Sequence, residues 1–227
     1  MKPIRKNLIS QRLSRYETID STFLSLSEES RLRIKQKEAS LLKEKDKLLD
    51  IYYNNTPTEE IENRVIDIDV EIEHIENEIE SLLEMEVIYI YKSYEYNLKQ
   101  ILMFAFQDIS PKKVSYWDKM VDFLDGKGVD VISCSGFNEL EKFKNLNNEI
   151  KHEAFAKSVT LSALGCLTIE DFENYVSKSK SNIEAFLREL NGKVKAVLAN
   201  DGSTYMNEEL ESIEFLKYFS ASGKRYT

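Results

Sequence analysis

Two histidines occur in the whole chain, and one of them stands among amides and carboxylates. His152 closes the run ELEKFKNLNNEIKH. On a helix, Glu141, Asn145, Asn148 and His152 step by 4, 3 and 4, so they share one polar stripe. An imidazole beside two amides and a carboxylate suits proton transfer near neutral pH, and the same stripe equally suits an ordinary hydrogen-bonded surface. Leu140, Phe143, Ile150 and Ala154 form an apolar stripe on the same helix. Asn147 lies inside that stripe, which is an odd place for an amide. The second histidine, His74, sits in EIEHIE beside an apolar seam and reads as an exposed flank residue.

Other chemistry is sparse. The chain has no glycine-rich loop followed by Lys and Ser or Thr, no GxSxG, no HExxH and no EF-hand loop. Its seven glycines are scattered. Cys134 and Cys166 form neither a CxxC pair nor a disulfide framework, which points to a cytoplasmic protein with reduced thiols. No metal and no cofactor are expected. The longest apolar run, ILMFAF at 101–106, is far short of a bilayer's thickness, and the N-terminal stretch lacks the apolar core of a secretory signal, so no membrane association is expected. A net charge of −9 argues against a protein that coats nucleic acid over its whole surface. It leaves room for a local basic patch such as residues 1–16, which hold Lys2, Arg5, Lys6, Arg12 and Arg15 and no acid.

The elements that would position His152 follow from composition and period. With 42% apolar and 31% charged residues but only seven Gly and three Pro, the chain lacks the turn-formers of a sandwich, barrel or propeller, so an all-α fold is expected. Ile61, Val65, Ile68, Ile72, Ile75, Ile79 and Leu82 step by 4 and 3 without interruption, the seam of a coiled coil. Before them, Ile34, Leu41 and Leu48 recur at sevens, flanked by Ala39, Leu42 and Leu49. Between the two lies YYNNTPTEE, where Thr56 is placed to cap and Pro57 to open a helix. Residues 31–47 are rich in Lys and Arg, whereas 59–86 are acidic with a lone Arg64. Antiparallel pairing would therefore set opposite charges across the flanks.

Residues 27–86 thus predict an antiparallel coiled-coil hairpin arm. Residues 1–26 and 87–227 predict a helical bundle with its core over about 87–200. The second arm would run from 57 to about 107. Further helices are expected from Ser110–Pro111 to Gly126, from a cap at Asn138 to about Phe155, from a cap at Thr168 onward, and near 207–220. VDVIS in the loop after Gly126 allows a short extended piece, and AKSVTLSALGC a short hairpin.

The run NNEIKHE, followed by a connector and the helix LTIEDFENYVSKSKSNIEAFLREL, resembles the HEPN superfamily. That resemblance covers about Glu86 through Leu190, with the hairpin arm as an insertion. It implies a compact bundle of four or five helices, usually a homodimer, of the kind found in bacterial toxin–antitoxin and anti-phage systems. Many members cut RNA without a metal, using the 2′-hydroxyl as nucleophile. The family motif is an Arg, commonly followed by a polar residue, and a His after a spacer of four to six. Here His152 matches the His and Asn148 the polar residue, while Asn147 stands where the Arg is expected. No Arg occurs between Arg64 and Arg188. By this resemblance His152 would act as general acid or base and Asn148 would orient the scissile phosphate. Lys144 or Lys151 would offset the phosphate charge, with Glu141 beside them. A Lys does not reproduce the bidentate guanidinium, so the implied ribonuclease chemistry is weakened or lost.

Two further functional classes fit the same residues. A non-catalytic scaffold would bind a protein partner through its coiled-coil arm. An acidic subunit could neutralise a basic toxin.

Overall fold

A computed structural model describes residues 10–54, 58–106, 109, 117–152 and 154–200, with side chains at all of these except 154–158 and 200. A short helical stretch at 10–14 precedes six longer α-helices: α1 Thr22–Asn54, α2 Glu59–Ala105, α3 Trp117–Gly126, α4 Phe137–His152, α5 Ala154–Ala163 and α6 Ile169–Asn200. No strand occurs among the described residues, so the fold is all-α. None of the helices among them is long and apolar enough to cross a membrane.

α1 and α2 pair antiparallel. Arg64 donates through Nε to Glu44 Oε1 at 2.8 Å, Lys45 pairs with Asp69, and the Tyr52 hydroxyl reaches Glu62 at 3.2 Å. Nearer the base Lys37 faces Glu71, and Arg31 pairs with Glu86. Residue numbers fall along one helix as they rise along the other, so the tip lies between 54 and 59. The exposed pairs contribute roughly 0.2–1 kcal/mol each, and their larger effect is on register.

One run of covered positions in α1, Leu24, Ser27, Arg31, Ile34, Glu38, Leu41, Lys45, Leu48 and Tyr52, alternates by 3 and 4, with Phe23, Lys35, Glu44 and Leu49 half-buried beside it. One of its two inner rows is therefore largely polar. In α2, Ile68, Ile75 and Ile79 are buried as the heptad requires, but the next buried residue is Leu83, with Leu82 only half-buried. From there Val87, Ile90, Tyr94, Leu98 and Ile101 continue at steps of 4 and 3. The extra step of 4 moves the buried face round as α2 leaves a two-helix seam for a wider enclosure.

The helix ends have local causes. Asp20 Oδ1 accepts from the Thr22 backbone N–H at 2.9 Å and opens α1. At the described start of α2, Ile61 N–H points to Thr58 Oγ1 at 3.4 Å, two residues beyond the expected cap. The cap expected at Thr56 and Pro57 lies outside the described residues, as do the start at Ser110–Pro111 and the helix near 207–220. α4 opens at Phe137 behind Gly136, whose φ of +80° is left-handed, and not on an Asn138 cap. Thr168 does cap α6: its hydroxyl accepts from Asp171 N–H at 3.1 Å, and Asp171 Oδ2 accepts in return from Thr168 N–H at 3.0 Å.

Two expectations are corrected. The stretch 154–163 is helix α5 and no hairpin, closed by Gly165 at φ +81° with Cys166 N–H returning to Leu161 O at 2.8 Å. VDVIS is turn and coil, with Val129 and Val131 buried as isolated plugs.

Contacts divide the chain into two units. One comprises 10–18, 94–137 and 184–200 of the described chain, the other 19–93 and 138–183. Residues 27–86 fall in the second unit, together with 138–183. In the first unit Tyr94 and Phe186 meet edge-on at 6.1 Å, among Leu13, Leu102, Met120 and Leu190. In the second, Leu140, Phe143, Leu146, Phe172, Val176 and Ile183 make up the core with Ile68 to Val87.

Candidate functional site

α4 carries the motif, and its two faces are sharply different. Leu140, Phe143 and Leu146 turn inward and are fully buried, while Glu141, Asn145, Asn148, Lys151 and His152 reach solvent. The polar stripe read from spacing is therefore one exposed surface, ending at His152 in the last residue of α4. Lys144 is half-buried beside it. Lys151 places Nζ 5.7 Å from the centre of the Tyr91 ring, a cation over an aromatic face that ties the last turn of α4 to α2.

Asn147 is not on that surface. It is 0% exposed, inside the apolar stripe where its spacing puts it. Its Nδ2 donates to Asn148 Oδ1 at 3.3 Å, and its own Oδ1 finds no partner among the described residues. The bond has a consequence for Asn148. With Oδ1 accepting from Asn147, the amide NH2 of the exposed Asn148 is the group that can donate to an anionic oxygen. Glu149 Oε2 is a second enclosed atom on the same helix without a partner among the described residues. His74, the other imidazole, is an exposed flank residue of α2. Among the described residues no group of three or more His, Cys, Asp or Glu is placed to hold a metal ion.

Sequence spacing missed a second polar cluster. Arg31 donates through Nε to Glu173 Oε1 at 3.1 Å and pairs through Nη1 with Glu86, while Lys35 Nζ reaches Glu173 Oε2 at 2.6 Å. These side chains border a cavity of about 330 Å³ together with Leu24, Ser177 and Ile90. Two carboxylates and two cations cancel, so the node holds α1, α2 and α6 in register without offering net charge to a ligand. Arg31 and Lys35 lie one turn apart, which was legible. That their acid would come from position 173 was not, because nothing local links it to them.

Burial pushes Cys134 up from the ordinary thiol range, and burial, then the Asp171 carboxylate, does the same to Cys166. Comparison with models of protein families, with curated proteins and with solved structures finds no match to this chain.

Proposed function

We propose that this chain is an RNA-directed module of the HEPN type, acting in the cytoplasm as part of a bacterial defence or toxin system, with metal-independent ribonuclease chemistry weakened or lost. The observation that carries the reading is the pairing of Asn147 with Asn148 one turn before an exposed His152. The exposed amide of Asn148 would donate to a phosphate oxygen, and Lys151 and Lys144 would offset its charge. His152 would take the proton from the 2′-hydroxyl or return one to the leaving oxygen. What is missing is a planar cation for the phosphorus centre as negative charge builds on it. The position that would supply it is a neutral amide enclosed in the core.

In this reading two chains associate so that their α4 faces share one RNA cleft, and α1 with the first half of α2 forms an antiparallel coiled-coil arm on the HEPN-like body. The supporting features are the exposure of the whole polar stripe and the alternating 3 and 4 of one run of covered residues along α1.

The test is fluorescence anisotropy with a labelled single-stranded RNA of about 20 nucleotides, in EDTA, against the matching DNA. The chain should bind the RNA without cutting it, and His152→Ala and Asn148→Ala should each weaken binding about threefold to tenfold at unchanged helicity. Equal affinity for RNA and DNA, or indifference to both substitutions, would overturn the proposal.

A further inference from the structure

Asn191 of α6 is another fully enclosed amide, and it lies in the first unit. It is 0% exposed, on the inward stripe with Leu187 and Val194, which are also fully buried. Its Oδ1 has no partner among the described residues, and its Nδ2 donates to Glu17 Oε1. The same Glu17 oxygen accepts from Lys195 Nζ at 3.0 Å. Lys195 stands one turn beyond Asn191 on α6, so amine and amide are neighbours on one helix face. It also donates to Ser14 Oγ at 2.8 Å, which fixes the amine beside the N-terminal segment. Side-chain exposure is 26% for Lys195 and 21% for Glu17, so water is largely kept from all three groups.

We propose that Lys195 and Asn191 join through their side chains in an autocatalytic amide exchange, with Glu17 as the catalytic residue. Glu17 takes a proton from the Lys195 ammonium, and the freed Nζ adds to Asn191 Cγ. Glu17 passes that proton to Nδ2 as the Cγ–Nδ2 bond breaks. It then relays the second proton that Nζ sheds, and ammonium departs. A primary amide and an ammonium become a secondary amide and ammonium, and nothing is oxidised or reduced. Both transfers start from contacts already made, because nucleophile and leaving nitrogen bond to the same Oε1. Enclosure of the amide suppresses hydrolysis to Asp. With no donor bonded to Oδ1 among the described residues, the addition is slow. The product is a staple across one turn of α6 that converts the Lys195 cation into a neutral amide and removes its ion pair with Glu17. This inference is independent of the RNA reading.

Asn191 is followed by Gly192, so attack by the Gly192 backbone nitrogen would give a succinimide with the same loss of mass. That nitrogen lies inside α6, where the helix engages it. The test separates the two. The full chain is incubated in buffer for about a week while its intact mass is followed. The mass should settle about 17 Da below the value for the sequence, one ammonia lost. Trypsin should then yield a branched peptide, in which cleavage after Lys193 leaves ELNGK joined to the segment that starts at Val194. Lys195→Arg should keep its full mass, and Glu17→Gln should slow the loss about a hundredfold or more. An unchanged mass in the natural chain overturns the proposal. So does a loss that persists in Lys195→Arg, which is the succinimide, or one that proceeds at the same rate in Glu17→Gln.

Discussion

Asn147 holds an enclosed carbonyl oxygen with no partner among the described residues, and an unbonded buried oxygen costs about 1–3 kcal/mol of lost hydration. Replacing it with an apolar residue of similar size removes that cost. Asn147→Leu should therefore leave urea stability unchanged or raise it by about 1 kcal/mol, while RNA affinity falls because Asn148 is no longer oriented. A purely structural asparagine would shift the first readout and leave the second alone. Asp171 offers a pH-dependent counterpart. The Thr168 hydroxyl, then the Thr168 and Leu167 backbone N–H groups, hold its carboxyl below the ordinary 3.8. The folded value is the lower one, so the contribution is whole above the ordinary value and is lost as pH falls through the folded value. Thr168→Ala should cost about 1 kcal/mol at pH 7 and flatten the acid limb of the stability curve below about pH 4, read as urea midpoints across that range.

The node of Arg31, Glu86 and Glu173 decides how the hairpin meets α6. Side-chain exposure is 13% for Arg31 and 7% for Glu86, so removing the cation leaves a carboxylate with almost no water. Arg31→Met should destabilise by about 3–5 kcal/mol, and adding Glu86→Leu should recover most of it, in equilibrium denaturation followed by circular dichroism. Equal loss in the single and double variants would show that packing, and not charge, holds the junction. Long periodic elements such as α1, α2 and α6 were legible from spacing because repetition over many turns outweighs any local ambiguity. Along α6 the apolar residues Phe172, Val176, Ile183, Phe186, Leu187, Leu190 and Val194 recur at helical spacing and are all buried. Short elements were harder. Val159 and Thr160 in α5 carry strand preference, and Gly165, which closes the helix at a left-handed φ, is equally at home in a hairpin turn. The step from Ile79 to Leu83 was hidden for another reason. Leu82 and Leu83 are both Leu, so only the width of the enclosing surface selects between them.

For the molecule as a whole, net charge and the polar surface of α4 pull in opposite directions. A chain at −9 repels nucleic acid except where cations gather, so any RNA contact must be local, and salt should weaken it with a shallow slope of one or two phosphates. Sedimentation across micromolar concentrations should show a dimer if two α4 faces share a cleft, and His152→Ala should leave that dimer intact. Asn148 and His152 were legible as one polar stripe from spacing, with Glu141 and Asn145. The inward placement of Asn147 was legible too, but its bond to Asn148 was not, since it depends on side-chain torsions. The most direct test is to photo-crosslink 4-thiouridine RNA to the full chain and map the adduct by mass spectrometry. The account predicts adducts on the peptide spanning 141–152, lost in Asn148→Ala with His152→Ala. Adducts confined to residues 1–16, or none above the level of a DNA control, would contradict it.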